Sequence, residues 1–154
     1  MKAKLALAVA GFAVAAALVA VPLTSASSVD TKLQIGASAH FTGPTSAAGT
    51  FVAAGAIRDS GTVTVTNISV EPLGNQDDGQ ITATAVYTGT LGTFTETISG
   101  IVGPADNPHQ AATGTFRIVA GTGAYAGTTG QGTFLAVADA TTNQIVTTED
   151  GQAN

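Results

Sequence analysis

The sequence predicts an all-β protein of eight short strands behind an N-terminal segment of a different kind. Three observations predict it. Beyond residue 26, Thr and Val are abundant and Gly punctuates the chain at short intervals. No stretch there carries a sustained 3.6-residue apolar stripe, whereas several alternate apolar and polar residues with a period of two. Turn chemistry recurs between those runs. Eight such strands joined mostly by hairpin-length connections make an up-and-down barrel or a two-sheet sandwich.

The N-terminal segment has the three parts of a secretory signal peptide. Lys2 and Lys4 are a short positive region, residues 5–21 are uninterruptedly apolar, and Pro22 ends the run. The small polar stretch Thr24-Ser25-Ala26-Ser27 offers a cleavage site after Ala26, with Ser27 as the next choice. The run is about 17 residues and mostly Ala, at the lower limit for crossing roughly 30 Å of hydrocarbon. No twin arginine precedes it and no Cys follows it. The expectation is a helical signal peptide over 1–26, removed near Ala26, and a secreted domain over 27–154 with no stable membrane anchor after cleavage.

The remaining chain of about 128 residues is one ordinary domain, long enough to bury a core. It contains no Cys, which excludes disulfides, thiolate metal sites and cysteine nucleophiles together. Ten acids face only Lys32, Arg58 and Arg117, a net charge of about −7. That balance argues against nucleic acid and against anionic membranes as partners. The Ala, Gly and Thr richness suits a bacterial genome of high GC content.

The strands are placed at 33–41, 49–58, 62–73, 80–88, 93–101, 114–119, 132–139 and 144–148. Asp59-Ser60-Gly61 is read as the tight hairpin between the second and third. A polar loop, Gly74-Asn75-Gln76-Asp77-Asp78-Gly79, joins the third and fourth, and the stretch from Gly103 to Pro108 is the longest irregular one. Alternation then sorts faces. Phe94, Glu96 and Ile98 oppose Thr93, Thr95, Thr97 and Ser99. Ile81, Ala83, Ala85 and Tyr87 oppose Thr82, Thr84 and Thr88. Phe116 and Ile118 share an inner face, as do Phe134, Ala136 and Ala138. The interior is therefore lined by a few large and many small apolar residues, which leave a cavity or let the barrel close more tightly.

Glu96 stands out because its parity places a carboxyl between Phe94 and Ile98. Desolvated there, it would have a raised pKa and serve as a general acid or base; at a solvated strand end, or flipped by a bulge, it would be an ordinary surface acid. Tyr87, on the neighbouring inner face, could donate to Glu96 or to a ligand, or be core with its hydroxyl at the rim. Asn67 is inward with Val63 and Val65 if the parity of that strand holds, and is a third polar lining group. Arg58 and Arg117 suit surface ion pairs, or the orientation of an anionic head group. His40 and His109 are far apart with no clustered ligands, so no metal site is expected. Asn75 to Gly79 resembles a calcium loop, but Val86 stands where the twelfth-position glutamate is needed. Gly36-Ala37-Ser38-Ala39-His40 lacks the second glycine of a nucleophile elbow.

The run Gly114-Thr115-Phe116-Arg117-Ile118-Val119-Ala120-Gly121-Thr122-Gly123-Ala124-Tyr125-Ala126-Gly127-Thr128-Thr129-Gly130-Gln131-Gly132 carries the most information. It reads as a strand, a Gly-Thr-Gly turn, a short excursion whose Tyr125 plugs a barrel end, and glycines leading into the next strand. Gly121, Gly123 and Gly127 miss nucleotide-loop spacing, and a strand follows where a helix would be needed. This order resembles the signature of the allene oxide cyclase and dirigent barrel superfamily, especially its small secreted bacterial members. The resemblance is strong over about 20 residues and loose elsewhere, although residues 49–61, with Thr50-Phe51, are also similar.

The resemblance implies an eight-stranded antiparallel up-and-down barrel with a ligand-accessible mouth, in a homo-dimer or homo-trimer. Relatives act on small lipophilic molecules, as cyclases or as stereo-directing proteins in radical coupling. Their catalytic residues cannot be placed on this chain. The expectation is a secreted barrel that binds a small hydrophobic molecule through Asn67, Phe94, Ile98, Phe116 and Tyr125. The alternative is a cofactor-independent cyclase or isomerase, or a dirigent-like protein, in which Glu96 and Tyr87 polarise the substrate. Neither reading calls for a cofactor.

Overall fold

In a computed structural model, residues 31–74 and 77–154 are described; the signal peptide expected over 1–26 and the cleavage point expected at Ala26 lie outside the described residues. Eight strands follow in order: β1 Lys32–Gly43, β2 Ser46–Gly55, β3 Asp59–Pro72, β4 Gly79–Gly89, β5 Thr93–Val102, β6 His109–Gly121, β7 Gly130–Asp139 and β8 Gln144–Ala153. Each pairs antiparallel with its sequence neighbours, and β8 closes on β1. The sheet is thus a closed up-and-down barrel and not a sandwich, and closure leaves no sheet edge exposed. Between β6 and β7 a single 3-10 turn, Gly123–Tyr125, folds over one end.

The period of two fills the interior as the composition requires. Leu33, Ile35, Phe51, Val63, Ala85, Tyr87, Phe94, Phe116 and Ile118 are buried, while their neighbours along each strand face solvent. Glycines on the inner face let adjoining backbones and rings approach. A Cβ at Gly132 would lie 2.2 Å from the Asp150 carbonyl oxygen and 2.6 Å from Phe116 Cε1. Gly132 stands opposite Phe116 across β6 and β7, so the ring occupies the space that a side chain would need.

Two irregularities decide what faces inward. On β3, Thr66 faces Thr84 and Ser69 faces Thr82, so Asn67 and Ile68 together oppose Ala83. This is a β-bulge, and Asn67 takes the left-handed φ of 55° that Asn tolerates better than most residues. The expected inward placement of Asn67 is therefore corrected: it is exposed, and Ile68 takes the inner position. On β6, Thr95 faces Ala120 and Glu96 faces Ile118, which leaves Val119 as the extra residue. That bulge falls on β6, so β5 keeps its alternation and Glu96 stays inside.

The hairpin between β2 and β3 is also corrected. It turns at Ala56-Ile57-Arg58, and Asp59, Ser60 and Gly61 already belong to β3. The Asp-Ser-Gly chemistry serves other ends. A Cβ at Gly61 would sit 2.0 Å from the Thr88 carbonyl oxygen, so this glycine permits close strand pairing.

Candidate functional site: a closed aromatic half, an open apolar mouth and a buried acid pair between them

The two ends of the barrel differ. At one end Phe51, Tyr87, Phe94 and Tyr125 form a packed cluster. Tyr87 and Phe94 stack at 4.6 Å with rings 12° from parallel, and Phe51 meets Tyr87 edge-on at 5.1 Å. Tyr125, brought in by the 3-10 turn, lies edge-on to Phe94 at 5.6 Å. Such geometries each add about 0.5–1.5 kcal/mol beyond area burial.

Asp59 holds this plug in place. Its carboxylate accepts from Ser60 N at 2.8 Å, Thr90 N at 3.1 Å, Thr90 Oγ1 at 2.8 Å, Leu91 N at 3.1 Å and the Tyr125 hydroxyl at 2.8 Å. The first residue of β3 thereby ties the β4–β5 connection and the 3-10 turn to one point. Desolvation pushes the Asp59 pKa up, but hydrogen bonds from Leu91, Tyr125, Thr90 and Ser60 outweigh it and hold the carboxyl well below the usual range. The partner hydroxyl moves the other way: desolvation and then the bond to Asp59 push Tyr125 up to about 12.

The opposite end is open. An apolar cavity of about 240 Å³ lies inside it, lined among others by Phe41, Ile68, Ile81, Ile98, Phe134 and Ile145. Depressions of about 450 and 610 Å³ also occur on the outer wall around Arg117. Thr and Gln recur in both linings and both lie more open to solvent than the cavity, unlike the concave apolar sites that retain small molecules.

Between plug and mouth lies a pair of acids. Glu96 from β5 is 0% exposed and Glu149 from β8 is 2% exposed. Their strands are three apart on the wall, so the carboxyls meet across the interior, within hydrogen-bonding reach of one another. The Tyr87 hydroxyl donates to Glu149 Oε1 at 2.9 Å. That hydroxyl has one proton to give, so with both acids ionised, Glu96 Oε1, Glu96 Oε2 and Glu149 Oε2 have no donor.

Each titration responds to this burial. Desolvation, then the charge of Glu149, pushes Glu96 well above the usual carboxyl range. Desolvation raises Glu149 to about 6, opposed by hydrogen bonds from Tyr87 and Glu96. Desolvation, followed by the charges of Glu149 and Glu96, pushes Tyr87 well up as well. A proton on Glu96 resolves the arrangement, because the protonated acid becomes a donor to Glu149.

The residues singled out from sequence divide among these layers. Glu96 and Tyr87 come together in the middle, with their polar atoms away from the cavity surface. Ile98 lines the mouth. Phe94, Phe116 and Tyr125 belong to the packed core. Asn67 stands outside. Sequence reasoning missed Glu149, because the last strand was ended at Thr148; the alternation Ile145, Thr147, Glu149, Gly151, Ala153 carries it inward. It also missed Asp59, whose turn-like surroundings hid its anchoring role. Among the described residues no group of three or more His, Asp or Glu is placed to hold a metal ion.

Fold and site together define a closed eight-stranded antiparallel barrel with one plugged end, one apolar mouth and a buried acid pair. Comparison with family models, with curated proteins and with solved structures found no match to this chain.

Proposed function

We propose that this chain is a secreted barrel that holds a small hydrophobic molecule in its open mouth. The observation that carries the reading is the asymmetry of the interior: one half is filled by interlocked aromatic rings, while the other keeps an apolar cavity of about 240 Å³. A cavity of about 150 Å³ accommodates benzene, so this one suits a ligand on the order of ten carbon atoms. The signal-peptide pattern over 1–26 supports export. The resemblance to allene oxide cyclase and dirigent barrels supports a lipophilic ligand.

The second reading, a cofactor-independent cyclase or isomerase, draws on Glu96, a raised-pKa acid inside the barrel. A catalytic acid must reach the atom it protonates. The Glu96 oxygens and the Tyr87 hydroxyl lie below the residues that line the mouth, so binding is the reading the geometry favours.

The test is a titration with neutral apolar compounds of graded size, alongside a cavity-filling variant. Ala136 is buried and lines the mouth. Compounds near the size of naphthalene should bind the native protein, and Ala136→Phe should abolish binding while circular dichroism shows the barrel intact. Equal binding by Ala136→Phe would place the ligand elsewhere and overturn the proposal.

A further inference from the structure

We propose that the Glu96–Glu149 pair is a proton-dependent latch on the mouth: the protonated pair keeps the inner end of the cavity dry and ligand-competent, and loss of the proton admits water that competes with the ligand. The inference rests on the ligand reading above and assigns its regulation.

Consider what faces the pair. β4 contributes Tyr87, already committed to Glu149. The buried side chains that β1, β2, β3 and β6 place in the same interior, Leu33, Ile35, Phe51, Val63, Phe116 and Ile118, are all apolar, and Tyr125 of the 3-10 turn has its hydroxyl held by Asp59. β7 contributes Phe134. Lys32, Arg58, Arg117, His40 and His109 are all exposed on the outer wall or the loops. No cation among the described residues therefore faces the two carboxyls, and among these residues nothing beyond the Tyr87 hydroxyl relieves their charge, which leaves a proton or water.

The proton solution is compact. One proton on Glu96 supplies a donor for Glu149 Oε2, the oxygen Tyr87 does not reach, and leaves one charge instead of two. When that proton leaves, two like charges meet in an apolar interior with three undonated oxygens. The effective penalty for such burial is several kcal/mol per ion, so hydration follows.

On the plug side the stacked rings of Tyr87 and Phe94 close the way. On the mouth side the pair is one layer from the cavity. Ile98 lies two residues beyond Glu96 on β5, Thr147 lies two before Glu149 on β8, and Phe134 pairs across from Glu149; all three line the cavity. Water that reaches the ionised pair must pass these side chains and occupy the inner end of the mouth. The same strands thus serve both the acid pair and the ligand, and linkage makes the effect reciprocal: a bound ligand raises the pair's affinity for its proton.

Naphthalene is a suitable probe, since it has no titratable group and any pH dependence belongs to the protein. Its affinity should weaken by about tenfold from pH 5 to pH 8, within the usual range for coupled sites. Calorimetry at neutral pH in two buffers of different ionisation enthalpy should show proton uptake on binding. In Glu96→Gln, a neutral isostere that still donates to Glu149, both the pH dependence and the proton uptake should shrink. Should that variant fail to fold, the buffer comparison on the native protein decides alone. Binding that is independent of pH, with no proton uptake, overturns the latch and leaves the ligand reading standing. No binding at any pH overturns both.

Discussion

The buried acid pair makes this protein's stability run against pH in a direction that can be worked out. In the unfolded chain both glutamates titrate near 4.5. In the fold both values are raised, so between the unfolded and folded values the folded chain holds more protons. The pair's contribution to stability is full below about 4.5 and is lost as pH rises through the folded values. Each pH unit over which one folded carboxyl keeps a proton that its unfolded counterpart has lost costs about 1.4 kcal/mol. Glu149, at about 6 in the fold, accounts for about 2 kcal/mol of that loss by pH 7. Glu96 adds a loss of the same sign. Glu96→Gln removes one ionisation and the like-charge neighbour of Glu149 while keeping shape and a donor. Urea unfolding at pH 4.5 and 7.5 is the assay. The native protein should lose at least about 2 kcal/mol between the two, and the variant should lose less and be the more stable of the two at pH 7.5. A native protein equally or more stable at pH 7.5, or a variant whose stability falls as steeply, would refute the reasoning.

Three other perturbations address neighbouring parts of the account. Tyr87→Phe removes the one hydroxyl that donates to Glu149 and should cost about 1–3 kcal/mol in urea unfolding, with a steeper loss toward neutral pH. Asp59→Asn acts in the opposite pH sense: the depressed folded value contributes stability above about 3.8 that is lost as pH falls through the folded value. Its melting temperature should drop at pH 6, and its decline on acidification below pH 4 should be shallower than that of the native protein. Gly132→Ala forces a Cβ to within 2.6 Å of Phe116 Cε1 and 2.2 Å of the Asp150 carbonyl, and should destabilise by about 1–3 kcal/mol by the same measurement.

The eight-strand all-β architecture was legible in the sequence because period-two alternation and turn residues are local signals; those signals left barrel and sandwich open, and the barrel was implied only by the resemblance over residues 114–132. That same alternation put Glu96 inside, and the β6 bulge at Val119 left it there. Asn67 was misplaced because a bulge shifts parity by one residue, and the one local hint, an Asn that tolerates left-handed φ within a strand, is a weak one. The β2–β3 turn was displaced for a related reason. Asp59-Ser60-Gly61 has turn chemistry, yet Gly61 is there for close backbone approach, and the Asp59 carboxylate reaches Thr90, Leu91 and Tyr125, about 30 residues or more away. The Glu96–Glu149 encounter depends on barrel closure, which brings β8 across the interior from β5. The same holds for the mouth: Phe41, Ile68 and Ile145 line it together because the other end is plugged, a property of the whole closed sheet.

The most direct test of the central claim is methyl NMR of the barrel domain with naphthalene at pH 5. Shifts should concentrate on Ile68, Ile81, Ile98, Val102 and Ile145 of the mouth, with Leu33, Ile57 and Val63 of the plugged half unchanged. Shifts confined to outer-wall methyls such as Val52, Val119 and Val146, or none at all, would contradict a ligand-holding mouth.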